Sequence, residues 1–235
     1  MQILGQIWMQ FNNISGPGST STQKFTSALR QVLADDTVAQ ILIDIDSPGG
    51  SVYGVSELAA EIMKARTQKP VVAVANSLAA SAAYWIGCAA GEFYVTPGGE
   101  VGSIGVWQAH FDYSKALEGD GVKPTLISAG KFKVEGNPYV PLDLEALSFM
   151  QSRVDDYYNA FAKAVAKGRG LTVNDVREGM GEGRVLGADA ALAAKMVDGV
   201  ATFDEVLAKM QKTARSAQPV GASRLKQARA ALALI

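Results

Sequence analysis

Apolar positions change their spacing along the chain, and the change separates two regions. Up to about residue 130, short runs of β-branched and small apolar residues alternate with stretches where apolar residues recur every three or four positions. The first pattern predicts buried strands and the second amphipathic helices. Residues 2–8 (QILGQIW), 39–46 (AQILIDID) and VVAVAN after Pro70 read as strands. Phe25, Leu29, Val32 and Leu33 predict a helix over 22–34, and another runs from about Val55 to Arg66. Further on, 81–90 reads as a helix and EFYV as a short strand. PGGEVGSIGV is a glycine-rich passage into another strand, Lys115–Glu118 a short helix and PTLIS a strand. Strands alternating with helices imply parallel β–α–β units with helices covering a sheet.

After Pro141 the period becomes helical. Leu144, Leu147, Met150, Val154, Tyr157, Phe161 and Val165 share one helix face, and GRG at 168–170 ends that helix. Thr172 followed by Asp175, and Thr202 followed by Glu205, have the spacing of capping boxes and predict two further helices. The expected organisation is an α/β core over 1–140, a helical region over 141–210 that packs on the core or on a neighbouring subunit, and a basic tail over 211–235. The tail holds Lys212, Arg215, Arg224, Lys226 and Arg229 and no acidic residue. It is either a solvated terminus or an arm for an acidic partner.

Composition narrows the function classes. Hydrophobic residues at 48% against 19% charged provide an ample globular core, and a net charge of −1 gives no global field towards nucleic acid. One cysteine, Cys88, rules out an internal disulfide, and its setting in AAYWIGCAA reads as a buried small hydrophobe. With one cysteine and one histidine, no zinc-type Cys/His cluster can form, and no cofactor motif such as a P-loop or dinucleotide fingerprint is present. The N-terminus lacks the basic start and long apolar core of a signal peptide, and no run reaches the ~20 apolar residues of a transmembrane helix. A soluble, intracellular protein is expected. Because MQILGQIW enters a strand almost at once, upstream sequence carried by related proteins is expected to be missing.

Candidate chemistry starts from a scarcity. A Ser-His-Asp triad needs a histidine, and His110 lies within GVWQAHFDY, where a strand and a structural role are expected. A hydrolase here would need another base, and lysine qualifies because burial lowers its pKa. DSPGGSVYG follows directly on the strand ILIDI, so Gly49 and Gly50 lie at the carboxyl end of a parallel strand. Ligands of α/β sheets bind there, and unobstructed N–H groups could stabilise an oxyanion. Ser81 sits among alanines in ANSLAASAAYWIG at the start of an apolar helix. It could be a nucleophile, with the N–H of Ala82 as a second oxyanion donor, or simply a helix N-cap.

Taken together and in order, SPGG, SLAASAAYW, GSIGV and SAGKFK resemble the signal-peptide-peptidase A family of serine peptidases, over roughly residues 2–205. GRVLGADAALAAKMVDGVATFDEVL is similar to the closing region of that family. The soluble phage and prophage members, the lambda-type head protein C peptidases, are the nearer match, on the paired alanines after Ser81, on KVEGNPYVPL and on the Tyr- and Phe-rich helix ending in GRG. The resemblance implies a Clp-protease/crotonase-like α/β fold of repeated β-β-α units with a helical C-terminal region.

It also implies Ser81 as nucleophile, Lys133 as general base 52 residues later, and Ser103 of GSIGV as the hydroxyl that orients the lysine amine. Gly49 and Gly50 match the oxyanion loop, with either N–H as the donor. Lys131 is the rival base, since two lysines two apart on an extended segment face the same side; register against the family favours Lys133. Asn76, Ser77 and the Ala82–Ala83 pair depart from the commoner family residues. The implied reaction is peptide hydrolysis through an acyl-enzyme, with no cofactor. Keeping a lysine neutral near pH 7 takes about 4 kcal/mol of selective destabilisation of its ammonium, so a partly dry, assembled site is expected.

Also implied are small residues at P1, capsid-assembly substrates such as scaffold or portal proteins, location in the host cytoplasm or procapsid, and a ring-forming homo-oligomer. Its expected contact elements are the exposed face of the 144–167 helix and the N-terminus. A catalytically silent procapsid protein and an acyl-CoA enzyme of the crotonase type are the alternatives from other classes.

Overall fold

In the computed structural model, residues 3–10, 20–216 and 231–232 are described. The chain divides into two compact units: residues 1–105 with 160–235, and residues 106–159. The sheet lies in the first unit. Its strands are β1 (Ile3–Gln10), β2 (Val38–Ser47), β3 (Val71–Ala80), β4 (Glu92–Val95), β5 (Glu100–Gly102), β6 (Val185–Gly187), β7 (Gly199–Val200) and β8 (Ala231–Leu232). The main order is β6-β5-β3-β2-β1-β8, with β4 pairing β3 and β7. All pairs are parallel except β5 with β6. The parallel α/β class expected from the alternating pattern is therefore the one observed.

Helices cover both sheet faces, which is why β2 and β3 read as nearly unbroken apolar runs. Alternate residues of a strand face opposite ways. On one face α1 (Thr22–Ala34), α2 (Val55–Ala65) and α3 (Ala82–Gly87) bury Phe25, Leu29, Leu58 and Ile62, and α3 meets Ile45 and Phe93 at Gly87. On the other, Leu42, Val72 and Val74 pack with Val206 and Met210 of α8 (Phe203–Ser216). The long helix α5 (Leu144–Arg169) starts in the second unit and ends in the first. Its apolar stripe is buried at Phe161 and Val165, where Phe161 stacks on Trp85 with ring centroids 4.7 Å apart. At the other end Leu144, Leu147 and Phe149 are exposed. Thr172 caps α6 (Val173–Gly179) in a full capping box, and Thr202 and Glu205 exchange the same bonds at the start of α8.

GRG does more than end α5. A Cβ at Gly168 would run into the carbonyl oxygen of Cys88, so only glycine allows this close approach to the turn after α3. Arg169, whose side chain is 7% exposed, forks onto both carboxylate oxygens of Asp198 at 2.8 Å and donates from Nε to the Lys195 carbonyl at 3.0 Å. Asp198 in turn accepts from the Phe93 N–H at 2.7 Å. Burial works to lower the pKa of Arg169, but the Asp198 carboxylate outweighs it and the guanidinium is held more firmly charged.

The second unit holds α4 (Ser114–Gly119) and the first half of α5. The strands expected after GSIGV and at PTLIS are not formed: 103–113 and 122–128 have no regular secondary structure. Their β-branched and aromatic residues find no sheet within the described part of this chain, and Trp107, Phe111, Leu126 and Ile127 are exposed. His110 is therefore not on a strand; its Nε2 lies 3.0 Å from the Asn137 carbonyl. The tail beyond Ser216 lies outside the described residues, apart from the short pairing of β8 with β1. No described helix is long and apolar enough to cross a membrane, and no described cluster of His, Cys, Asp or Glu could hold a metal ion.

Candidate functional site

The end of β3 is where the chain departs from ideal geometry. Val72–Ala75 pair with β4, whereas Leu78–Ala80 pair with β5. At the change of partner the register against β2 shifts, between Ile45 and Ser47. Ser77 there has φ +109°. Asp44, in register with Val74, is 3% exposed, and its carboxyl is hydrogen-bonded with the Asn76 side chain. Its Oδ2 has no partner among the described residues. Burial pushes the Asp44 carboxyl up to about 6, against the opposing Asn76 bond and with help from Asp46.

Ser81 is the single residue between β3 and α3. Its φ and ψ are +51° and −123°, a region that non-glycine residues seldom occupy. It stands at the N-cap position, yet its side chain makes no capping bond. The bland reading of this serine as a cap is thereby removed, and the hydroxyl is left for other work. Its backbone is fixed at both ends: the Ser81 N–H donates to the Gly102 carbonyl at 2.7 Å, and its carbonyl accepts from the Trp85 N–H at 3.0 Å. Ala82 and Ala83 behind it are buried.

The SPGG loop lies against this serine. Gly49 has φ +101°, and a Cβ built on it would fall 2.7 Å from Ser81 Cβ, 2.9 Å from the Ala80 oxygen and 3.1 Å from the Ala82 nitrogen. Only glycine satisfies both the backbone angle and the approach. The Gly49 N–H donates to Ser47 Oγ at 3.1 Å, and Ser47 is itself buried. The N–H of Ala82, first residue of α3, lies outside that helix's own bonding ladder.

Ser103 follows directly on Gly102, whose carbonyl receives Ser81. It too has positive φ, +54°, and its N–H donates to the Arg184 carbonyl at 2.8 Å. One region of the first unit thus gathers Gly49, Ser81, Ala82 and Ser103. Lys133 belongs to the second unit, in a run of turns where its N–H donates to the Gly130 carbonyl at 3.1 Å, and it is exposed there. The extended segment supposed for Lys131 and Lys133 is not formed. Lys131 pairs with Glu145 at 3.2 Å and lies 4.4 Å over the Phe132 ring, while Lys133 has no side-chain partner among the described residues. Cys88 is fully buried, donates to the Trp85 carbonyl, and burial pushes its thiol up to about 12, which leaves it unreactive.

Reading the motifs missed Ser47 and the Asp44–Asn76 contact. Ser47 lies inside SPGG, where the two glycines carry the signal of an oxyanion loop and the serine has no local pattern of its own. Asp44 has a usable signal, a charged residue between Ile43 and Ile45 in the middle of a strand that the pattern reads as buried.

This geometry has relatives. The chain is 37% identical over 194 residues to "Capsid assembly protease C" of Escherichia phage lambda, covering 83% of this chain and 44% of that protein. It is 40% identical over 159 residues to "Head-tail preconnector protein GP5" of Enterobacteria phage P21, covering 68% and 32%. The chain thus spans less than half the length of these two phage relatives. Among solved structures, a mutant of the membrane-bound stomatin-specific protease 1510-N superposes with a TM-score of 0.53 at 18% identity, over 88% of this chain and 84% of that one, a likeness of fold. The profile of peptidase family S49 matches residues 63–217, which include the strained serine, the Gly102–Ser103 turn and the Arg169–Asp198 clamp. The turn of β3 into α3 at Ser81 is accordingly a feature of a protein that belongs to peptidase family S49.

Proposed function

We propose that this chain is a serine endopeptidase in which Ser81 attacks the peptide carbonyl and Lys133 is the general base. The observation that carries the reading is the uncapped hydroxyl of Ser81, held at a strained turn with the glycine loop against it. Neutral Lys133 takes the Ser81 proton as Oγ bonds to the carbonyl carbon. The developing oxyanion is met by the N–H of Ala82 and by the loop N–H of Gly50, while Gly49, whose own N–H is taken up by Ser47 Oγ, brings the loop against Ser81. The tetrahedral intermediate collapses, the amine leaves with the proton held by Lys133, and an acyl-enzyme remains. Water, deprotonated by the same lysine, then releases the acid and restores Ser81. Ser103 orients the lysine amine. Lys131 is the weaker base because Glu145 already engages it.

Both phage relatives carry names from head or capsid assembly. On that ground the substrates are capsid-assembly proteins such as scaffold or portal, cleaved in the host cytoplasm or the procapsid. The working form is a homo-oligomer, a reading supported by the exposed apolar residues of the second unit and by an exposed Lys133 whose chemistry needs a drier setting.

The test follows casein and a fluorogenic alanyl peptide with wild type, Ser81→Ala, Lys133→Ala and Lys131→Ala. Cleavage is expected to drop at least ~10³-fold for the first two variants and to stay within threefold for the third. Equal activity of wild type and Ser81→Ala would sink the enzymatic reading in favour of a silent assembly protein.

A further inference from the structure

We propose that Ser47 is a positioning residue of the oxyanion loop, its buried hydroxyl fixing the Gly49 peptide against Ser81. The inference rests on Ser81 being the nucleophile and adds a residue to that site.

Ser47 ends β2, opposite Ala79 and two positions before Ser81 on the neighbouring strand. It is 1% exposed, and the preceding residues of β2 at the same parity, Ile45, Ile43, Ile41 and Ala39, are all apolar. An unused hydroxyl there would cost free energy. Its Oγ is in use, accepting from the Gly49 N–H at 3.1 Å.

After Ser47 the chain leaves the sheet ladder, and residues 48–52 have no regular secondary structure. Yet the loop must hold Gly49 at φ +101° within van der Waals contact of Ser81. The Ser47 bond supplies that hold from below, at the peptide plane whose orientation sets where the following N–H groups aim. An oxyanion donor acts only within a few tenths of an ångström of its ideal position, and it acts on charge that develops in the transition state. Loosening the peptide should therefore slow turnover while leaving substrate binding nearly unchanged.

The experiment uses the full chain and compares wild type, Ser47→Ala, Ser47→Thr and Ser81→Ala on a fluorogenic peptide with alanine at P1. It also measures inhibition by the matching peptide boronic acid, which mimics the tetrahedral intermediate. Rates are normalised to the folded fraction from thermal melts. Expected for Ser47→Ala are a kcat lower by 10- to 100-fold, a KM within twofold, and boronate affinity reduced in proportion to kcat. Ser47→Thr, which keeps the hydroxyl, should recover most of the loss. If Ser47→Ala leaves kcat and boronate affinity within twofold of wild type, or raises KM as much as it lowers kcat, the positioning role is wrong. If Ser81→Ala retains wild-type activity, the underlying reading of the nucleophile fails instead, so the two failures are told apart.

Discussion

Three residues at the carboxyl ends of β2 and β3 carry features that cost stability. Ser77 and Ser81 hold backbone angles that favour glycine, and Asp44 buries a carboxyl with one oxygen unpaired among the described residues. Strain and orphaned polar groups gather where structure serves something other than stability. The cost of Asp44 depends on pH in a definite direction. In the folded chain its carboxyl keeps the proton up to about pH 6, whereas an ordinary aspartate releases it near 3.8. Between those values the folded state binds more protons than the unfolded one, so stability falls as pH rises through this window and is level above it. Asp44→Asn should therefore gain up to about 3 kcal/mol at pH 7 and almost nothing at pH 3.5, as read from urea denaturation at the two pH values. An equal gain at both would show that Asp44 does not titrate as its burial demands.

Among the elements, α5 shows how one helix can be partly legible. Its extent follows from the period of its apolar residues and from GRG. The sequence does not reveal that GRG is also a docking device, because Asp198 lies 29 positions away and no local rule links it to Arg169. The Arg169–Asp198 fork joins the end of α5 to the segment between α7 (Ala188–Ala193) and β7, and through the Phe93 N–H to β4. Arg169→Ala leaves Asp198 facing a largely buried gap. The expected loss is about 3 kcal/mol, near the low end for a broken buried pair because Asp198 keeps some solvent contact. Arg169→Lys keeps the charge but not the two-pronged geometry and should recover less than half. Chemical denaturation of the three proteins measures this directly. The unformed strands at 103–113 and 122–128 teach the opposite lesson, since β propensity expresses fit to a neighbour more than a preference of the backbone alone.

At the scale of the whole molecule, large exposed apolar residues concentrate in the second unit, including Trp107 at 82% and Ile127 at 96% exposed. Large exposed apolar surface in a soluble protein commonly marks an interaction site. If copies of this chain cover it, Trp107→Ala combined with Ile127→Asp should convert an oligomer into a 24.7 kDa monomer by light scattering. The melting temperature should fall only as far as the lost assembly accounts for. A wild-type chain that is itself monomeric at micromolar concentration would refute the assembly.

Local pattern along the chain suffices for the parallel α/β class, the bounds of α1, α2 and α5, the capping boxes, and the short list of motifs on which the site is built. These follow from residue spacing, turn chemistry and helix capping, all of which act over a few positions. Only the packed structure shows that Ser81 is not a cap, that Gly49 must be glycine because Ser81 touches it, and that Asp44 meets Asn76 of the neighbouring strand. It also decided that the segments around His110 and Ile127 form no strand within the described chain. Each of these depends on which distant strand or loop lies alongside, and such contacts leave no period in the sequence.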